Sequence, residues 1–209
     1  TTVTGINMEE TEIEKIIREI LLIDVGDRIE FKFEKLEPIR EDSDYNNFRV
    51  YFVAHYGKIA NKMKIDITTG DEITPGAIQY SYKTILDDDE IGVMAYNTET
   101  IIAEKYETII RRNIGTSRAR DFYDLHVFYN LYKDSINLEI LKLAVTRTAK
   151  KRESLDTMSE WEEIIEDMKV DTALKELWKN YCENNTYASE VSFENVMETI
   201  LHIAEMLGF

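Results

Sequence analysis

The chain has 209 residues, a length that suits one large domain or a domain with a helical appendage, and a globular chain of this size buries roughly 70% of the surface its unfolded form exposes, enough to fold without a staple. With 41 acidic and 25 basic residues the net charge is −16, a field that repels a phosphate backbone and argues against indiscriminate nucleic-acid binding and against a stable DNA complex. The lone Cys182 offers no internal disulfide and no thiolate zinc site, charged residues break every apolar run before it could span a membrane, and the first twenty residues carry no basic-then-apolar signal, so the expectation is a cytoplasmic protein with no membrane partner.

Residues 7–22 set Ile13, Ile16, Ile17, Ile20 and Leu21 at helical spacing among acids, which predicts an amphipathic helix. From Arg28 to Phe33 the period changes to two, with Ile29, Phe31 and Phe33 opposite Arg28, Glu30 and Lys32. Pro38 is expected to end or bend this strand, and the polar stretch from Arg40 to Asn47 to form a turn or exposed loop. Phe48 to Tyr56 is rich in aromatic and β-branched residues and predicts a second strand; Gly57 permits a turn, and Ile59 to Thr68 reads as a third, making a meander. Gly70, Pro75 and Gly76 then interrupt regular structure before two short extended segments, around Ile78 to Ile85 and Ile91 to Tyr96, separated by an acidic turn from Asp87 to Glu90.

Beyond Asn97 the pattern is helical. Ile101, Ile102, Tyr106, Ile109 and Ile110 share a face, with Asn97 or Thr98 available to cap it. Gly115 and Thr116 break that helix, and Phe122, Leu125, Val127, Phe128 and Leu131 support the next. Helices at about 135–151, 158–180 and 189–207 complete the reading, and the change from mixed to purely helical pattern places a boundary near residue 135. The fold class expected is therefore α+β, with a sheet and flanking helices followed by a C-terminal helical region.

Three segments concentrate chemistry-bearing residues. If residues 62–68 form a strand, Lys62, Lys64, Asp66 and Thr68 face one side and Met63, Ile65 and Ile67 the other. Such a strand either presents a carboxylate to a cleft or simply wets one face of a half-buried sheet, and spacing leaves both open. Lys105 and Arg112 lie nearly two helical turns apart, so they project in broadly the same direction, suited to gripping a triphosphate or to solubilising an exposed edge. Glu104, Thr108 and Arg111 follow a neighbouring track where an intrahelical ion pair is the simpler account. Asp121 and Asp124 stand one turn apart, with Arg120 placed to pair Asp124, which suits orienting a substrate or holding a basic side chain.

The basic clusters Arg111, Arg112, Arg118, Arg120 and Arg147, Lys150, Lys151, Arg152 leave room for a local, salt-sensitive RNA contact or for ordinary solvated helix ends. His55, His126 and His202 form no metal-binding signature, Cys182 has no adjacent histidine, and the dispersed glycines form no phosphate-binding loop. Trp161, Trp178, Tyr181 and Tyr187 read as helix-packing or interface residues.

In this order the segments KIDITTGD (64–71), ETIIAEKYETIIRR (99–112) and RARDFYDLH (118–126) resemble the carboxylate-bearing strand, the lysine-to-arginine helix and the arginine-aspartate-tyrosine-aspartate segment of the AbiEii/AbiGii-type nucleotidyltransferase toxins of abortive infection. The resemblance covers about residues 1–135 and is specific in its latter half. It implies an incomplete nucleotidyltransferase-like core with a mixed sheet at 1–135 and a helical subdomain at 136–209. It also implies Asp66, Lys105 and Asp121 as catalytic residues converging on one cleft, with Lys64, Arg112, Arg120 and Asp124 binding substrate. The reaction implied is magnesium-assisted transfer of a nucleotidyl group from a nucleoside triphosphate to an RNA or protein hydroxyl, in a toxin or phage-defence role with a separately encoded antitoxin.

One departure is large. Members of this family place a glycine-rich turn and a paired-acid strand ahead of the region seen here, and Thr1 to Gly5 looks like the segment just after those acids. Asp66 is a metal ligand only together with them, so residues 1–209 alone are expected to bind magnesium weakly and to turn over negligibly. The alternative from a different class is a non-catalytic protein-binding or structural module on the same fold.

Overall fold

The computed structural model describes residues 1–3, 9–39, 47–85 and 89–209. The chain divides into two compact units, Thr1–Asp71 and Glu72–Phe209. The fold class is α+β, as the sequence pattern predicts: among the described residues there is one four-stranded mixed sheet, one two-stranded sheet and eight α-helices.

The first unit contains β1 (Thr2–Val3), α1 (Glu10–Leu21), β2 (Glu30–Ile39), β3 (Asn47–Tyr56) and β4 (Ile59–Thr69), with strand order β1-β4-β3-β2. The expected meander of β2, β3 and β4 is present, with β1 added parallel to β4 through Thr2 beside Thr68. Gly57, at φ +57°, makes the tight turn between β3 and β4 that L side chains rarely adopt. One sheet face is apolar because Phe48, Val50 and Phe52 alternate inward and meet Ile67 and Ile65 across the ladder; Ile13 and Ile17 of α1 pack on this cluster.

Of the two expectations at Pro38, an end or a bend, the end is not observed. The strand runs through Pro38 to Ile39, which an edge strand tolerates because the missing N–H need not serve an inner ladder. An irregularity between Phe33 and Lys35 inserts Glu34, and the apolar face shifts phase from Phe31 and Phe33 to Leu36. Ile20, expected on the packed face of the first helix, is exposed, since that face narrows to Ile13, Ile17 and Leu21. The predicted turn at 40–47 lies outside the described residues except for Asn47, which opens β3. The first residues of the predicted helix at 7–22 and part of the acidic turn at 87–90 also lie outside them.

In the second unit β5 (Ile78–Lys83) and β6 (Glu90–Ala95) pair antiparallel as a separate hairpin. The helices are α2 (Thr98–Arg112), α3 (Ala119–Tyr132), α4 (Leu138–Lys151), α5 (Leu155–Ser159), α6 (Trp161–Val170), α7 (Thr172–Asn184) and α8 (Phe193–Leu207). Asn97 caps α2 by accepting from the Thr100 amide, as its position predicts. The axis of the core is α2, where Ile102, Ala103, Tyr106, Ile109 and Ile110 are buried against residues of the helices that follow.

The predicted helix at 158–180 is three segments. Asp171 breaks it by accepting the Leu174 N–H at 2.6 Å, so a new helix starts where no glycine or proline marks a stop. At the end of the chain Ser192 and Asn195 form a reciprocal capping box and Gly208 closes α8 in the left-handed region. Helices on both sides of residue 135 share this one core, so the pattern change there does not coincide with the division between Asp71 and Glu72. No described helix is long and apolar enough to cross a membrane.

Candidate active-site cleft

In the second unit a cleft of about 580 Å³ opens between α2, α3 and α7. Lys105 reaches it from α2, and the three-residue spacing of Asp121 and Asp124 turns both carboxylates toward that lysine. Lys105 Nζ donates to Asp121 Oδ1 at 2.6 Å and to Asp124 Oδ2 at 2.8 Å. The second oxygen of Asp121 accepts from Arg118 Nε at 2.6 Å. The Asp121 side chain is 5% exposed, so both of its oxygens are satisfied by cations where water is scarce.

Arg120 is the least committed of the cleft's cations. It lies 3.6 Å from Asp124 Oδ2, and its side chain is 77% exposed. Lys105, Arg118 and Arg120 thus face two carboxylates, leaving a local surplus of positive charge in a chain of net charge −16. Such a surplus at an open mouth attracts an anion, and guanidinium groups match phosphate geometry.

The opposite wall comes from α7 and the residue after it: Leu177, Asn180, Tyr181, Asn184 and Asn185. Burial pushes the Tyr181 phenol up from its ordinary range, and its hydroxyl lies 3.1 Å from that of Tyr187. Tyr187 in turn donates to Asn185 Oδ1, which leaves Tyr181 as the donor of the pair. Local sequence pattern gives no sign of this wall: Tyr181 reads there as a helix-packing or interface residue, and Asn184 and Asn185 fall beyond the predicted helix end at residue 180.

The structure therefore brings together Lys105, Asp121, Asp124 and Arg120. Arg112 does not line the cleft; its Nε is buried with no hydrogen-bond partner among the described residues. Asp66 and Lys64 belong to the first unit, on the polar face of the sheet. There Asp66 is gripped bidentately by Arg49, at 2.6 and 2.8 Å, and this hydrogen bonding holds its carboxyl below the usual range. The partner was legible: a two-residue turn at Gly57 and Lys58 fixes the register, and counting back from it sets Arg49 opposite Asp66.

Glu107 also escaped the sequence reading. It is fully buried and accepts from Arg111 Nε at 2.7 Å, Arg152 at 2.6 Å and Ser154 Oγ at 2.7 Å, tying α2 to the end of α4 and the start of α5. Arg111 and Arg152, one from each of the two basic clusters, are thereby committed to a carboxylate. His126 Nδ1 lies 2.8 Å from Thr199 Oγ1, and burial lowers its pKa. Burial raises the Cys182 thiol, whose Sγ is turned to the Ala188 carbonyl, opposite to what an activated nucleophile needs.

The residues do not by themselves fit a magnesium site. Among the described residues no group of three His, Cys, Asp or Glu side chains is arranged to hold a metal, and Asp66 is one carboxylate already closed by Arg49.

Comparison with known proteins gives a family match described as nucleotidyl transferase AbiEii toxin, type IV TA system, over residues 2–199. That span continues past residue 135 into the helices where the motifs gave out. No curated protein matches the sequence. Two solved structures are similar to the chain. One is JHP933 from Helicobacter pylori, at 18% identity and TM-score 0.32, covering 85% of this chain and 63% of that one. The other is a candidate nucleotidyltransferase from H. pylori, at 17% identity and TM-score 0.34, covering 85% and 65%. The chain thus spans less than two-thirds of the length of either. With nearly all of its residues inside the family match, the chain belongs to the AbiEii nucleotidyl transferase toxin family of type IV toxin–antitoxin systems.

Proposed function

We propose that the cleft between α2, α3 and α7 binds the triphosphate of a nucleoside triphosphate for nucleotidyl transfer, in a toxin countered by an antitoxin. The observation that carries this reading is the lysine and two arginines gathered with Asp121 and Asp124 at one opening. In this reading Arg120 meets phosphate first, Lys105 offsets charge as pyrophosphate leaves, and Asp121 and Asp124 hold Lys105 in place. Magnesium belongs to the proposal only for a protein in which further acids stand beside Asp66. The parallel register of β1 on β4 supports that arrangement, because acids preceding Thr1 in a longer protein would continue alongside Asp66. An RNA acceptor would make contact locally and with strong salt dependence.

A second reading, a non-catalytic module, draws support from Asp66, whose two oxygens are both taken by Arg49. One assay separates the two: labelled nucleoside triphosphates, magnesium and cellular RNA, with residues 1–209 and with a protein carrying a glycine-rich turn and paired acids upstream. We expect negligible transfer from the first and turnover by the second. In the longer protein Lys105→Ala lowers transfer per folded molecule by about 100-fold, the scale of removing one preorganised charge-stabilising donor. Transfer unchanged by Lys105→Ala removes the catalytic role of the cleft, and no turnover by the longer protein favours the module.

A further inference from the structure

The two walls of the cleft differ in kind. Its charges sit on one side, on Lys105, Arg118, Arg120, Asp121 and Asp124. The α7 side is uncharged, and Leu177, Asn180, Tyr181 and Asn184 follow one another at the i, i+3, i+4, i+7 spacing of a single helix face. Its members are an aliphatic side chain, an aromatic ring and two amides.

Both amides have capacity to spare. The Asn180 side chain makes no hydrogen bond among the described residues, and Asn184 gives its Nδ2 to the Asn180 carbonyl while its Oδ1 has no partner among them. The Tyr181 ring is steadied by Trp178, with centroids 5.7 Å apart, and by Tyr123 at 6.2 Å. Its hydroxyl is engaged by Tyr187, so what remains to offer a ligand is the ring surface.

A nucleotide has the same partition, with an anionic chain at one end and a flat, neutral, hydrogen-bonding base at the other. A cavity of about 580 Å³ falls within the range of small-ligand sites. We propose that the α7 wall is the nucleobase subsite: the base lies against Leu177 and Tyr181, its edge is read by the Asn180 and Asn184 amides, and its phosphates extend toward Arg120 and Lys105. A planar amide presents a donor and an acceptor side by side, the arrangement by which asparagine recognises base edges. The inference rests on the reading of the cleft as a triphosphate site, and it adds the group that selects among nucleotides.

The test is calorimetric titration of residues 1–209, without added metal, with each of the four ribonucleoside triphosphates and separately with inorganic triphosphate. The expected result is that at least one nucleotide binds about tenfold more tightly than inorganic triphosphate. Asn180→Ala and Tyr181→Leu each erase most of that difference while leaving inorganic triphosphate within twofold, and Tyr181→Phe keeps it. Asn180 is exposed and its side chain holds nothing in the fold, so its variant tests the subsite even if the tyrosine variant unfolds.

Nucleotides that bind no better than inorganic triphosphate, or whose affinity ignores both substitutions, overturn the subsite and leave the triphosphate reading standing. Failure to bind either probe removes both. A single-stranded oligoribonucleotide without a triphosphate that binds in an Asn180-dependent way, while the nucleotides do not, overturns the assignment in favour of an RNA end.

Discussion

In Thr1–Asp71 Arg49 and Asp66 pair across neighbouring strands on a wet sheet face; in Glu72–Phe209 several charged groups are drawn into the seams between helices. Arg49 and Asp66 face each other with side chains 33% and 43% exposed, whereas the Glu107 side chain is fully buried between Arg111 and Arg152. The same chemistry therefore has different weight in the two regions. On the sheet, water can replace a lost partner. Between helices a lost partner leaves a charge that water reaches poorly.

The contrast predicts its largest effect at Glu107. Glu107→Ala should lower the unfolding free energy by about 4 kcal/mol in urea titration, because two arginines and Ser154 lose their common acceptor. A loss below about 1 kcal/mol would put this pair on the same footing as an exposed one. Next in size is Phe52→Ala in the sheet's apolar cluster, expected to remove about 3 kcal/mol and to appear as lost amide hydrogen-exchange protection in β2, β3 and β4. If Phe52→Ala has little effect, the sheet does not depend on its inner face as its alternation implies.

Two smaller effects depend on pH. The folded state lowers the pKa of His126, so as pH falls the unfolded chain takes up its proton near the ordinary value of about 6.5 and the folded chain only further down. Stability should decline through that interval and level off below it, and His126→Gln should flatten this part of the profile. The smallest effect belongs to Arg49. Asp66 contributes stability above its unfolded pKa, and that contribution is lost as pH falls through its depressed folded value. Arg49→Ala should return the Asp66 titration, followed by carboxyl NMR shifts, upward toward about 4, with little change in stability at neutral pH. An Asp66 titration that does not move would show that Arg49 is not what holds it.

What the sequence disclosed follows the reach of each signal. Period-two alternation located β2, aromatic and β-branched enrichment located β3, and helical spacing located α1, α2 and α3, because those signals are local. The pairing of Asp121 and Asp124 on one face was legible for the same reason; that they share Lys105 depends on α3 packing beside α2. Glu107 reads along its own helix as an ordinary i, i+4 partner of Arg111, and only the approach of Arg152 and Ser154, more than forty residues on, makes it a buried junction. Asn180 and Tyr181 become a wall of the cleft only when α7 comes to lie against it. The bulge at Glu34 and the break at Asp171 were missed because neither position carries a glycine or proline.

The passage of β2 through Pro38 bears on how the sheet meets other chains. As the outer strand among the described residues, β2 has a side with no partner among them, a position at which a foreign strand can add and begin aggregation. Proline removes a donor from that border, the irregularity at Glu34 disturbs its spacing, and Glu30, Lys32, Glu34 and Lys35 are exposed along it. Each makes β2 a poor template for recruitment. Growth of the sheet by strand addition is thereby discouraged on the β2 side and directed to the opposite border, where the two residues of β1 already lie along the end of β4.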